Sequence, residues 1–495
     1  MIAVSCVTLL LLGMFGPTAI AGEEPSLGTA PTVQALPGVA AMPSDGLIPS
    51  PEPDWPQWRG PRRDGVSPEK GLLAAWPDDG PPLLWKAGGL GTGWSSPIVV
   101  GRRLYITGDV DDDLVIFAFD TGGTPLWQAK NGKSWQGSFP GSRACCVFSE
   151  GRLYHLNAHG RVACLDAATG RELWADNILQ RFGGKNITWA LSECLLVDGP
   201  RLIVTPGGRK GLVSALDKHT GRTVWTTPPL GDDRVTHSSP ILFRYAGRRL
   251  ITNCSSAHGF GVDADTGELL WTVPLKNRFG TNIATPVYGS GRVFYVTPYT
   301  ELGRVYRLDA TGRTLRPEHV WTHPLDTVTG GAVLVDGVLY AAGYRKPKWW
   351  FAVDWQTGQT KHELTDLTTG APIWADGRLY VLDEQGTVAL VDPNTLSIIS
   401  RFPLISKKAR DAWAHPVLTG ARLYLRYHDT LWCYDVKGDG WGQSLNSELE
   451  EVIGGPAMRS PCCLCLADRR PRSLFTIQAL TPATPTSLGR KVEAA

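Results

Sequence analysis

One pattern recurs down the chain and constrains its fold more than any other feature. It is an extended run, a Gly-containing turn, a second run such as Arg103-Leu104-Tyr105-Ile106, a third run ending in Asp, then Thr-Gly, then Trp. The Asp positions are Asp120, Asp166, Asp217, Asp263, Asp309, Asp354, Asp392 and Asp435, at steps of 38 to 51 residues. A period of that size marks a repeat architecture, whereas 495 residues without repeats would suggest several separate domains. Six copies carry Thr-Gly shortly after the Asp, from Thr121-Gly122 to Thr357-Gly358, where glycine supplies the positive φ of a tight hairpin. The copies after Asp392 and Asp435 are degenerate.

Each unit opens on a short run that often begins with proline, as in Ser95-Ser96-Pro97-Ile98-Val99, Ser238-Ser239-Pro240-Ile241 and Ala414-His415-Pro416-Val417. Proline is tolerated at the start of a strand, so these are first strands. Four short antiparallel strands make one propeller blade, and the eight units predict an all-β, eight-bladed β-propeller. Outer strands carry Trp127, Trp174, Trp225, Trp271 and Trp321, whereas nothing similar follows Asp435. A spare outer strand, Leu83-Leu84-Trp85-Lys86, precedes the first unit and is expected to complete the eighth blade. Closing the ring with this N-terminal strand removes an open sheet edge that would invite aggregation.

The run Ala163-Cys164-Leu165-Asp166-Ala167-Ala168-Thr169-Gly170-Arg171-Glu172-Leu173-Trp174 resembles the repeat of the pyrroloquinoline-quinone-like propellers. That family includes quinoprotein alcohol dehydrogenases and BamB-like outer-membrane assembly propellers, and the resemblance spans about residues 83 to 436. Asp54-Trp55-Pro56-Gln57-Trp58-Arg59-Gly60-Pro61-Arg62-Arg63-Asp64-Gly65 resembles the entry motif of exported propellers of planctomycete-type bacteria. The dehydrogenase branch implies a quinone on a Trp floor, calcium on carboxylate and amide oxygens, and an Asp base. Many of those enzymes also place a disulfide of adjacent cysteines over the quinone. Here Cys145-Cys146 occupies the strand-start dipeptide just before Val147-Phe148, further along than in the dehydrogenases, and reads as small residues packing near the axis.

Residues 1–21 read as a secretory signal, with an apolar run from Val4 to Phe15 and Ala19-Ile20-Ala21 as the cleavage site. The expected address is the periplasm or an equivalent envelope compartment, with no transmembrane segment in the mature chain. Residues 22–53, rich in Pro, Ala, Gly and Ser, read as a flexible linker, 54–438 as the propeller and 439–495 as a disordered tail. Lys plus Arg total 49 against 47 for Asp plus Glu, so no charge excess argues for nucleic acid.

In a propeller the blade-to-blade connections share one face with the turns between second and third strands. The long segments lie there, and long loops are where function concentrates. Aromatic, basic and amide candidates on that face are Trp135, Arg143, Lys185, Asn186, Trp189, Arg209, Lys210, His237, Asn277, Arg278, Asn282, Tyr344, Arg345, Trp413 and His415. They suit an anionic, planar or sugar-like ligand, or a peptide segment.

No catalytic group is assigned, and no metal site. His155 and His159 straddle a strand and its turn, so their spacing does not make a zinc pair. No Gly-x-Ser-x-Gly elbow, haem-attachment motif or phosphate loop is present. The leading expectation is a non-catalytic, cofactor-free binding or scaffold propeller holding a protein partner or a small polar ligand. The alternative is a dehydrogenase of alcohols or sugars carrying pyrroloquinoline quinone with calcium. A carbohydrate-binding reading applies if Trp135, Trp189 and Trp413 line one groove.

Overall fold

The structure, a computed structural model, describes residues 44–299, 302–312, 314–344 and 348–438. The expected signal segment, most of the expected linker and the expected tail lie outside the described residues. Eight antiparallel sheets follow one another, each with four strands of the propeller, in sequential order in all but the last. Blade one is Ile98–Val100, Arg103–Val110, Asp113–Asp120 and Pro125–Lys133, and blade two runs from Val147–Ser149 to Glu172–Asn177. Blades three to seven begin at Leu196, Ile241, Val287, Ala332 and Gly370. Blade eight contributes Val417–Thr419, Arg422–Tyr427 and Thr430–Asp435, and its fourth strand is Leu83–Ala87, antiparallel to Thr430–Asp435. The ring is therefore closed by the N-terminal strand, as the repeat count predicts.

The repeat residues hold each blade and join it to the next. At Asp166, Oδ1 accepts from the backbone N–H groups of Ala168 and Thr169 and from the Thr169 hydroxyl, and Asp217, Asp263 and Asp354 do the same for their own turns. These bonds hold the hairpin between third and fourth strands. Trp127 then donates from Nε1 to the Ala167 carbonyl of the following blade, and Trp174, Trp225, Trp321 and Trp85 donate likewise to Lys218, Ala264, Trp355 and Thr121. The indole lies over the neighbour's turn so closely that a Cβ on Gly170 would sit 2.6 Å from the Trp127 ring. Glycine serves there both for its φ of +74° and for that contact. Trp271 is the exception, turned inward to donate to the Tyr295 hydroxyl.

The ten described residues before Asp54 differ from the flexible linker expected over 22–53. Gly46–Leu47 add a fifth strand to blade four, antiparallel to its innermost strand Ile241–Tyr245, and the Ile48 N–H donates to the Leu242 carbonyl. An innermost strand presents unpaired N–H and C=O groups to the channel, and this segment satisfies some of them.

Residues 55–67 go further and touch all eight blades, at their innermost strands or the segments entering them. Trp55 bridges Val99 of blade one, and the Pro56 carbonyl accepts from Phe148 of blade two. Arg63 donates to the Cys194 and Leu195 carbonyls at blade three and to Pro240 at blade four. Trp58 Nε1 donates to Thr285 Oγ1 at blade five, and Arg59 to the Ala332 carbonyl of blade six. Val66 bridges Trp374 of blade seven, and Ser67 Oγ donates to the Leu418 carbonyl of blade eight. The guanidinium fork suits this work, since five N–H donors on one planar group can bridge carbonyls that converge from different blades. The entry segment is thus a plug across the central channel. Among the described residues, no helix is long and apolar enough to cross a membrane.

Candidate functional site

On the face carrying the blade-entry segments, the plug floors a cavity of about 190 Å³. Trp58 and Arg59 of the plug form part of its lining, and the rest comes from segments leading into the innermost strands and from Tyr299 and Tyr344 in the turns between second and third strands. Two groups of aromatic rings stand in its walls. Trp94, Trp413 and Phe139 make one, with ring centroids 5.3 Å (Trp94–Trp413) and 5.4 Å (Phe139–Trp413) apart. The other is an edge-to-face chain of Trp189, Phe279, Tyr299 and Tyr344, with successive centroids at 5.7, 4.7 and 6.0 Å, in which Phe279 backs the three lining rings from outside the wall.

Six sequence candidates line the cavity together: Arg143, Trp189, His237, Tyr344, Trp413 and His415. The remainder do other work. Trp135 packs against His159 and donates to the Ser138 carbonyl, so Trp189 and Trp413 share the cavity without it. Asn186, Asn277 and Asn282 are spent on the loops themselves, donating to the carbonyls of Ala158, Thr281 and Ser255. Lys185, Arg209 and Lys210 are exposed, Arg278 is exposed with its guanidinium over Phe279, and Arg345 lies outside the described residues. Sequence reasoning missed Trp58, Arg59 and Trp94 as lining residues. The signal for the first two was present, because the entry motif was visible, but nothing local shows that it folds back into the channel.

The cavity's electrostatics follow from two guanidinium groups. Arg143 donates through Nη1 to the Gly141 carbonyl and through Nη2 to those of Ser138 and Phe139. Arg59 Nη2 donates to the carbonyls of Asp64 and Ala332. Burial pushes both groups down to about 10, which leaves them cationic at neutral pH. Neither has a carboxylate within ion-pair distance among the described residues. Both cavity histidines are held neutral: burial, and then the Arg143 charge, pushes His237 down to about 3, and burial, and then Arg59, does the same to His415.

Carboxylates are missing from the cavity wall, among the described residues that line it. Calcium takes six to eight oxygen ligands, usually with carboxylates among them, and the donors here are guanidinium, imidazole, indole, hydroxyl and backbone groups. No group of three His, Cys, Asp or Glu side chains is placed to hold a metal among the described residues. The residues present do not fit a calcium-bound quinone, nor do they offer an Asp base beside one. Cys145 and Cys146 are buried, unpaired thiols at a strand start, with the Cys145 N–H donating to Cys194 Sγ at 3.2 Å. Burial keeps the Cys146 thiol far above its ordinary value, so it is not a thiolate at neutral pH.

Comparison with known proteins identifies the family and the fold. A family model described as outer membrane protein assembly factor BamB matches residues 111–362. BamB of Yersinia pestis is 23% identical over 274 residues, covering 52% of this chain and 65% of that protein. The quinoprotein ethanol dehydrogenase of Pseudomonas putida is 28% identical over 164 residues, 31% of this chain and 25% of that enzyme. The chain thus spans less than two thirds of the length of either relative. Among solved structures, BamB from Moraxella catarrhalis superposes with a TM-score of 0.51 at 15% identity, covering 72% of this chain and 98% of that one. Quinohemoprotein alcohol dehydrogenase from Comamonas testosteroni gives 0.55 at 14% identity over 78% and 81%. Likeness at that identity establishes the fold.

Proposed function

Since this chain belongs to the family described as outer membrane protein assembly factor BamB, we propose that it is a non-catalytic binding propeller that takes its ligand into the plugged cavity on its long-loop face. One observation carries the reading: aromatic rings, guanidinium groups and neutral histidines line the cavity, with no carboxylate among the described lining residues. Such a site can stack and hydrogen-bond a ligand. It supplies neither a carboxylate base nor a calcium shell, which weighs against the dehydrogenase alternative despite the quinoprotein relatives. Exposed Phe139 in the lining and exposed Phe279 against Trp189 and Tyr299 favour a second use, contact with a protein partner across the mouth.

Export to the periplasm or an equivalent envelope compartment is part of the same reading, supported by the apolar run and Ala19-Ile20-Ala21. N-terminal sequencing of the mature protein should begin at Gly22.

The test of the cavity reading is titration of the protein with pyrroloquinoline quinone and calcium, followed by quinone absorbance and thermal midpoint. No calcium-dependent uptake is expected well above micromolar concentration. Stoichiometric uptake with a calcium-dependent rise in midpoint would overturn the cofactor-free reading.

A further inference from the structure

The charges of the cavity select among ligands. Arg143 has five N–H donors and spends three on its own loop's carbonyls, which leaves two. Arg59 spends two from Nη2, and its Nη1 makes none of these bonds and stands where a Cβ on Gly331, itself a lining residue, would come within 2.6 Å. Both side chains are cationic in a partly dehydrated site, with Asp64 and Asp109 acting on them only from beyond ion-pair distance, and a buried charge without a direct partner is costly in a purely structural role. A bound anion would lower that cost.

Size and shape narrow the choice. A volume of about 190 Å³ lies below the roughly 300–1,000 Å³ of sites for drug-sized ligands, so it suits one or two fused rings. The walls are tryptophan, tyrosine and phenylalanine, which favour a flat apolar body stacked or edge-on. Guanidinium N–H donors take carboxylate or phosphate, and of the two only a planar carboxylate lies in the plane of the aromatic ring that carries it.

The geometry points to a small aromatic carboxylate as the ligand of this cavity, its ring among the tryptophans and its carboxylate directed to the Arg59 and Arg143 guanidinium groups without calcium. This assignment rests on the binding reading above and adds the chemical class. The ring of such a ligand excludes water from the guanidinium groups, which strengthens their hydrogen bonds to the carboxylate.

The experiment compares matched pairs on the full chain at pH 7.5, by calorimetry and by quenching of tryptophan fluorescence, with calcium chelated throughout. The pairs are benzoate against benzamide and indole-3-carboxylate against its amide, with cyclohexanecarboxylate as an anion lacking a π face. Each aromatic acid is expected to bind about tenfold or more tighter than its amide, the worth of a charge-assisted hydrogen bond, and tighter than the cyclohexane acid. Arg143→Gln should narrow the gap between acid and amide several-fold, and an unchanged ratio of the two affinities in this variant would overturn the assignment. Equal affinity of acid and amide on the unmodified protein would overturn the assignment and leave the cavity as a binding site. No binding by any member at millimolar concentration would also overturn it. Thr329→Trp, at a half-buried lining position, separates the two levels: binding that persists in this variant lies outside the cavity and overturns the cavity reading itself.

Discussion

Replacing His155 by glutamine should remove a defined part of the protein's acid sensitivity, because the hydrogen bonds around this imidazole leave it one protonation state. Arg161 Nη1 donates to Asn131 Oδ1 at 2.6 Å, and an arginine can only donate, so the Asn131 amide nitrogen faces the other way. That nitrogen lies 2.8 Å from His155 Nδ1 and must be the donor there, which makes Nδ1 a bare acceptor. The proton therefore sits on Nε2, 3.3 Å from the Ala144 carbonyl. A second proton on Nδ1 would point at an N–H. Burial of this fully enclosed ring, partly opposed by the Ala144 bond, pushes it down to about 4.

The sign follows. A histidine whose folded value is depressed stabilises the fold above its unfolded value of 6.5, and that stability is lost as pH falls toward about 4. At pH 5 the unfolded chain has taken up the proton and the folded one has not. One and a half pH units at about 1.4 kcal/mol each then give a loss of about 2 kcal/mol relative to pH 7.5. Glutamine can accept from Asn131 and donate to Ala144, yet it does not titrate. His155→Gln should cost about 1–2 kcal/mol at pH 7.5 through imperfect shape. Its drop in stability between pH 7.5 and 5.0 should be about 2 kcal/mol smaller than that of the unmodified protein. Urea unfolding followed by tryptophan fluorescence at both pH values measures the difference, and the other buried histidines cancel between the two proteins. Identical pH slopes, or an imidazole resonance of His155 titrating near 6, would refute the hydrogen-bond argument.

Three further substitutions test how the ring is held. Gly170→Ala should lose about 2–3 kcal/mol, because a methyl group meets the Trp127 ring as well as the positive φ, whereas Gly312→Ala, with open space around it, should lose only about 1; equal losses measured by urea unfolding would show that the indole contact is not felt. Trp85→Ala removes the strut from the closing strand to Thr121 and should cost roughly 2–4 kcal/mol, the core value discounted for partial exposure. An unchanged thermal midpoint would mean that the closing strand contributes little to holding the ring.

What the sequence alone determined was everything local to one repeat. The blade count, the Asp–Thr-Gly turns and the closing strand at Leu83–Ala87 were legible because each depends on a few consecutive residues and on counting. The face of the ring to search was legible too, since strand order dictates where long connections emerge. Which residues on that face form a site was not. Asn186, Asn277 and Asn282 have the same residue types as ligand-binding amides, and only the folded loops show their side chains bonded to backbone carbonyls.

The tertiary structure also decided the floor of the cavity. Trp58 and Arg59 sit more than 80 residues from Arg143 and over 350 from Trp413, and they meet because the entry segment crosses the channel on which all eight blades converge. Periodicity records the shape of a blade. It carries no information about what fills the axis, because residues there come from seven of the blades and the entry segment, and their charge, burial and distances exist only once the ring has closed.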